Sequence, residues 1–246
     1  MLSSNNSIEE FVSKRNSEKL IFTAGPASLV DANIKGLRPC FGRGDIDYEI
    51  LENRVLDKLK KISGHSQVVR MQGSASLALE IMIANFLYGK VLLIDTGFYS
   101  LRLLDMIKSS MNKNNGYVKK IKIVSWKNIN SVEGEFDWII SCYTETSCGL
   151  KIPIESLRSI SKKTSAKLML DATASIGLED NHCFADVIAY SSCKGLFGLT
   201  GAAFIAFNEY PQNHVDSFYL NFANHLNKKM TGPYHIIYSL YEILKN

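Results

Sequence analysis

Six short runs of residues, 91–94, 121–124, 138–142, 168–170, 187–190 and 203–207, are apolar throughout or nearly so and recur along most of the chain. Runs this short do not make buried helices. They read as strands covered on both faces, the pattern of a sheet held between layers of helix. Around them the spacing changes. Ile50, Leu51, Val55, Leu56, Leu59 and Ile62 recur every three or four residues, which predicts an amphipathic helix ending near Ser63 and Gly64. Further helices are expected over about 76–87, 101–110 and 154–163, and another from Pro233 onward. Strand and helix alternate, so the fold class is α/β.

Of the 246 residues, 46% are hydrophobic and 21% charged, enough for a sizeable core and without the bias of a disordered chain. No apolar stretch approaches the roughly 20 residues of a membrane-spanning helix. With 28 Lys+Arg against 24 Asp+Glu the charges nearly balance, and they are scattered, which gives no nucleic-acid footprint. Cys40, Cys142, Cys148, Cys183 and Cys193 are an odd count with no C-x-x-C pair. Neither a disulfide framework nor a zinc knuckle is indicated, and free thiols of the cytoplasm are the simpler account. The first 20 residues read as a polar arm that lacks the apolar stretch secretion requires. No proline- or glycine-rich linker divides the remainder.

In sheets of this class ligands gather at the carboxyl ends of the strands, so the residues after each apolar run are the candidates. Gly73-Ser74-Ala75-Ser76 follows residues 68–72 and opens a helix, offering N–H groups to a phosphate, or an N-cap with no ligand. Gly97-Phe98-Tyr99 places aromatic rings behind the strand ending at Asp95, for stacking on a planar ligand or for ordinary packing. Glu145-Thr146-Ser147-Cys148-Gly149 gathers hydroxyls able to bond a ring oxygen, or only to cap a turn. Asp171 ends the run 168–170, where a carboxylate is costly unless it is paired, metal-bound or used. Ser191-Ser192-Cys193-Lys194-Gly195 sets a lysine on a tight turn of small residues after the run 187–190. Desolvated there, its amine is a nucleophile; in water, it is an ordinary loop lysine.

A strand-end Asp, a strand-end Lys, a phosphate turn and an aromatic plate are together what pyridoxal 5'-phosphate requires. Its aldehyde needs an amine, its pyridine nitrogen a carboxylate that keeps it protonated, and its phosphate N–H donors at a helix start. On Phe22-Thr23-Ala24-Gly25-Pro26, on segments 71–80, 171–177 and 191–196, and on Thr231-Gly232-Pro233-Tyr234-His235, the chain resembles the class V family of fold-type-I pyridoxal-phosphate aminotransferases. Within that family it is most similar to the members that take 2-aminoethylphosphonate and pyruvate, with those that make alanine and glyoxylate their substrates more distant.

The resemblance implies a large domain with a mostly parallel sheet over residues 21–230. It implies a polar arm over 1–20 and, over 231–246, the start of a small C-terminal domain that is largely missing. Lys194 would anchor the cofactor and move the reacting proton, and Asp171 would hold the pyridinium. Ser74, Ala75 and Ser76 would bind phosphate, with Ser191 among the cofactor contacts. Tyr99 would stack on the ring, Thr146 would touch its 3-oxygen side, and Thr231 would reach the phosphate of a partner subunit. A cytoplasmic homodimer acting on a small-molecule amino donor and a 2-oxo acid follows, without metal, membrane or nucleic acid.

Three departures qualify the resemblance. Ala75 stands where glycine is usual, Cys193 where an amide is usual, and the arginine that clamps a substrate acid in the family's small domain has no counterpart, leaving Arg38, Arg43 and Arg102 as the cations near the motifs. A shortened, catalytically impaired cofactor binder, or a subunit that needs a partner, is therefore the alternative to a full aminotransferase. A cysteine desulfurase would need a nucleophilic cysteine on a mobile loop, and Cys193 sits beside the lysine instead.

Overall fold

The computed structural model describes residues 7–18, 22–39, 44–113 and 116–245, so Cys40 and Arg43 lie outside the described residues. Helices α1 (Ile8–Ser17), α2 (Asp31–Lys35) and α3 (Ile46–Ser63) precede the first strand. The predicted end of α3 holds because Gly64, at φ 69°, takes the left-handed conformation that stops a helix. Then follow β1 (Gln67–Gln72), α4 (Ala75–Phe86), β2 (Gly89–Asp95), α5 (Phe98–Lys113), β3 (Val118–Ser125), β4 (Trp138–Cys142), β5 (Thr144–Glu145), β6 (Leu150–Lys151) and α6 (Ile154–Thr164). The chain continues through β7 (Lys167–Asp171), β8 (Val187–Ser191), β9 (Ala202–Phe207), α7 (Phe222–Leu226) and α8 (Tyr234–Ile243).

Seven strands form one sheet in the order β1-β9-β8-β7-β4-β2-β3, while β5 and β6 make a separate two-stranded ladder. All pairs in the large sheet are parallel except those of β9, which runs antiparallel to both β1 and β8. Register places Cys142 beside Asp171 and Asp171 beside Ala189, so β4 and β7 end level and β8 runs two residues further to Ser191. Residues that follow those strands emerge on one edge.

Alternate side chains of each central strand enter two different cores. Leu92, Ile139, Leu168 and Ile188 pack with Val55 and Leu59 of α3 and Leu240 of α8. Leu93, Ile140, Met169 and Ile205 pack on the other face with Leu79 and Met82 of α4 and Leu103 of α5. Burial on both faces is what makes these runs continuous rather than alternating.

One run departs from the expectation. Residues 121–124 were to be a strand covered on both faces, yet β3 is the sheet edge, paired only with β2, and Ile123 is 48% exposed. Lys119, Lys120 and Lys122 line that strand, the charges that keep an open edge from pairing with another chain. In the polar arm, α1 forms because Ser7 and Glu10 make a reciprocal capping box, and its Val12 is buried. Helix α8 packs on α3 and α2, with the Tyr48 ring 4.4 Å from that of Tyr234 and 5.5 Å from that of Tyr238. Among the described residues no helix is long and apolar enough to cross a membrane.

Candidate active site

Asp171, the last residue of β7, is buried at 3% exposure. Burial pushes its carboxyl above the usual range, against the hydrogen bonding of Thr173 and the charges of Arg102 and Lys194. The Thr173 N–H donates to Oδ1 at 2.9 Å. A carboxyl so enclosed is ready to hold a cationic or N–H partner brought in by a ligand.

On the neighbouring strand, the loop after β8 carries Lys194. Its shape is held by the Ser192 N–H donating to Ala202 O at 3.0 Å and the Gly198 N–H donating to Ser192 O at 2.8 Å. The N-terminal segment leans on it, since the Ala27 N–H donates to Cys193 O at 2.7 Å. Gly25, at φ 131°, lies so close that an added Cβ would stand 2.9 Å from Lys194 Cγ. Only glycine leaves room for the lysine stem there, which gives the segment 22–26 a physical task.

Strand β1 leads into α4 through Gly73 and Ser74. The Gly73 N–H donates to Gly201 O at 2.9 Å, tying this turn to the start of β9. Ser74 occupies the N-cap position, but its side chain makes no cap hydrogen bond. Its hydroxyl is thus not spent on the helix, and with Ser76 it lines the same cavity as Asp171 and Lys194. The positive end of α4 and its first-turn amides face that space, which suits an anion.

Tyr99 enters from the first turn of α5. Its ring centroid is 5.0 Å from the Arg102 guanidinium carbon and 5.7 Å from Lys194 Nζ. Thr146 closes the cavity from the β5–β6 turn, and Ala75 and Ser191 complete the set expected from the sequence. The cavity is about 560 Å³. Three polar atoms of residues on its wall, Arg102 Nε, Thr144 Oγ1 and Thr173 Oγ1, are buried without a hydrogen-bond partner among the described residues, the condition of a site shaped for a polar ligand.

Thr231 stands apart. It is exposed, before α8, and does not line the cavity. Its neighbour Gly232 is pressed on Arg70, where a Cβ would stand 2.5 Å from the guanidinium carbon. Arg70 Nε donates to the fully buried Glu52 at 2.7 Å, the Tyr48 hydroxyl donates to the same carboxylate at 2.8 Å, and Lys228 pairs with its other oxygen. The Thr231 segment is thereby anchored on a buried charge cluster. Arg38 lies at the surface 3.6 Å from Glu242, away from the cavity, whereas Arg102 is on its wall.

Several lining residues carried no signal of their own in the sequence: Cys142, Thr144 and Thr200. Cys142 could have been found from register alone, because it ends β4 level with Asp171.

No family model matches the chain. A 2-aminoethylphosphonate–pyruvate transaminase of Vibrio vulnificus is 25% identical over 255 residues, covering 92% of this chain and 69% of the relative. Among solved structures, an aspartate aminotransferase of subgroup IV from Thermus thermophilus superposes with a TM-score of 0.79 at 18% identity, over 91% of this chain and 69% of that one. A pyridoxamine–pyruvate aminotransferase from Mesorhizobium loti gives a TM-score of 0.79 at 21% identity, over 91% of this chain and 63% of that one. The chain thus spans about two thirds of the length of the proteins it is similar to. The mostly parallel sheet is thus the fold of these aminotransferase structures, and with Asp171 and Lys194 at strand ends on one cavity the chain is similar along 92% of its length to a 2-aminoethylphosphonate–pyruvate transaminase.

Proposed function

We propose that the cavity holds pyridoxal 5'-phosphate and that the protein transfers an amino group from a small amine of the 2-aminoethylphosphonate kind to pyruvate. The observation that carries this reading is the placement of Asp171 and Lys194 on one cavity whose wall includes the start of α4, where Ser74 makes no side-chain cap. The donor set fits the cofactor. Ser74, Ser76, the Ala75 amide and Ser191 take the phosphate, Asp171 takes the ring nitrogen, Tyr99 covers the ring, Thr146 meets the 3-oxygen side, and Lys194 is the covalent anchor.

When bound, the cofactor supplies an electron sink for negative charge on the amine-bearing carbon of the donor. The rest falls to side chains. Lys194, freed when the donor amine displaces it, would hold at Nζ the proton taken from that carbon and pass it on to a different carbon, and its position on a tight turn restricts the amine to one side of the site. Asp171, shielded from water, keeps the ring nitrogen protonated through a charge-assisted hydrogen bond. Tyr99 excludes water from the wall it occupies.

In this reading residues 1–20 are an arm, 21–230 the cofactor-binding body and 231–246 the opening of a second domain. The protein works as a cytoplasmic homodimer in which the exposed Thr231 serves the phosphate of the partner subunit. The exposed side chains of Phe98 and Leu101 beside the cavity support such an apolar contact.

A second reading is cofactor binding with weak turnover, because Arg102 and Lys194 are the only cations among the described residues that line the cavity. An arginine that grips a substrate acid positions the reacting carbon, and Arg102, its guanidinium carbon 5.0 Å from the Tyr99 ring centroid, is the one arginine on the wall among the described residues for that task. Formation of alanine from pyruvate, assayed with 2-aminoethylphosphonate and with glyoxylate as a competing acceptor, decides among these readings. Cofactor binding without alanine formation would establish the second, and formation of glycine from glyoxylate with alanine as the donor would establish an alanine–glyoxylate type of enzyme.

A further inference from the structure

Behind the cavity lies a carboxylate that none of the roles assigned above accounts for. Glu145 is 0% exposed, and among the described residues it forms no ion pair. Its charge is instead met by five donors. Oε2 accepts from Thr96 Oγ1 at 3.1 Å, from the Tyr99 N–H at 3.0 Å and from the Ser100 N–H at 3.2 Å. Oε1 accepts from the Ser147 N–H at 3.3 Å and from the Ser147 hydroxyl at 2.5 Å.

Two of these donors are first-turn amides of α5, so the carboxylate caps that helix from another element and sits at the positive end of its dipole. Ser147 extends the cap, its hydroxyl oxygen accepting from the Phe98 N–H at 3.3 Å. The backbone makes space for it. Gly97 has φ 144°, and a Cβ there would stand 3.1 Å from Glu145 Cγ and 3.1 Å from Ser147 Oγ.

We infer that Glu145 is a positioning residue of the cofactor site: it locks the first turn of α5, and with it Tyr99, to the turn that carries Thr146. The inference rests on the cavity being a pyridoxal-phosphate site. Tyr99 and Thr146 come from segments far apart in the chain, and Glu145 is where those segments are joined by hydrogen bonds. Glu145 is the chain neighbour of Thr146 and accepts directly from the Tyr99 amide. A carboxylate is required because every group that faces it is a donor. Glutamine has one acceptor oxygen and would turn its NH2 against N–H or O–H groups.

The test is Glu145→Gln in the full chain, read by cofactor titration and by the visible circular dichroism of the bound chromophore. Expected are a cofactor dissociation constant raised by at least about tenfold, a change of roughly 1.4 kcal/mol, and a weakened or inverted visible dichroic band. Thr164→Ala serves as the control for plain destabilisation, since it removes a buried hydrogen bond to Ile160 O on α6, remote from the site. That variant keeps the wild-type band. If Glu145→Gln does not fold, Ser147→Ala, at an exposed position, removes one donor and must shift the band in the same direction. Wild-type affinity and an unchanged band in Glu145→Gln, or in Ser147→Ala where the former is unfolded, overturn the inference while leaving the site reading intact. Wild-type protein that takes up no pyridoxal phosphate overturns both.

Discussion

Lys194 Nζ lies 5.7 Å from the centroid of the Tyr99 ring. The lysine comes from the turn after β8 and the ring from the first turn of α5, so their approach is a product of the sheet order and not of local sequence. A planar ligand that reacts with the amine has the ring as its neighbour.

Borohydride treatment of the cofactor-loaded protein is expected to leave a pyridoxyl mass on the peptide containing Lys194. In Lys194→Ala that adduct is lost, although the phosphate turn still gives residual binding. Mass spectrometry that finds the adduct on another lysine would refute the anchor.

Asp171→Ala is expected to retain cofactor, because Ser74, Ser76 and the α4 amides are untouched, and to lose alanine formation by on the order of a hundredfold or more, as when one charge-stabilising group is removed from an active site. Measuring both affinity and rate separates the two effects. Unchanged rate in this variant contradicts the assigned role.

Arg70→Ala is expected to destabilise the fold by about 1.5–3 kcal/mol, the usual cost of a lost hydrogen bond to a charged group, since the buried Glu52 keeps Lys228 and Tyr48. Burial alone would push the Glu52 carboxyl up, but the Arg70 charge and the hydrogen bonds from Lys228 and Arg70 outweigh it and hold the carboxyl below its usual range. Urea unfolding measures the loss. A change within about 0.5 kcal/mol would mean that the cluster contributes nothing to stability.

Stability should fall on acidification between about pH 6.5 and 4. His65, His182 and His225 are all buried, and burial lowers each, His182 to about 4 with the neighbouring His65 charge assisting. A histidine whose folded pKa is depressed stays neutral in the fold while the unfolded chain takes up the proton. Its stabilising contribution is therefore complete above the unfolded value near 6.5 and is lost below it, at up to about 1.4 kcal/mol per pH unit for each group. Asp171, whose carboxyl is raised by burial, acts in the opposite sense, but it is one group against three. Urea midpoints at pH 7.5, 6 and 5 should descend, and less steeply in His182→Gln; a flat profile would contradict the account.

What could be read from the sequence follows from what leaves a local trace. Double-sided burial writes itself as an apolar run, so β2, β4, β7 and β8 were legible, and Gly64 marks the end of α3 by its own conformation. Strand direction leaves no such trace, and nothing in residues 203–207 announces that β9 runs against its neighbours. The edge position of β3 was hidden for a similar reason, since Ile121, Ile123 and Val124 look like core until the partner count is known. The aspartate and lysine of the site were legible because Asp171 directly follows an apolar run and Lys194 sits on the turn of small residues that follows another. Glu145 was visible as a motif member but not as a cap, because its partners Thr96, Tyr99 and Ser100 are 45 to 49 residues away in the chain.

The reversed strand also acts as a ruler. β9 lies between β1 and β8, with Gln72 opposite Ala202 and Ser191 opposite Ala203, so the turn after β1 and the turn after β8 are held two interstrand spacings apart, roughly 9–10 Å. Hydrogen-bond ladders on both sides make that gap as stiff as the sheet. Ligand length is thereby gauged by backbone rather than by any side chain: a molecule must reach from the α4 amides to the Lys194 turn across one intervening strand. Side-chain changes along the wall retune chemistry without altering the reach, whereas a register slip in β9 would displace the anion end from the amine end and leave both intact but mismatched.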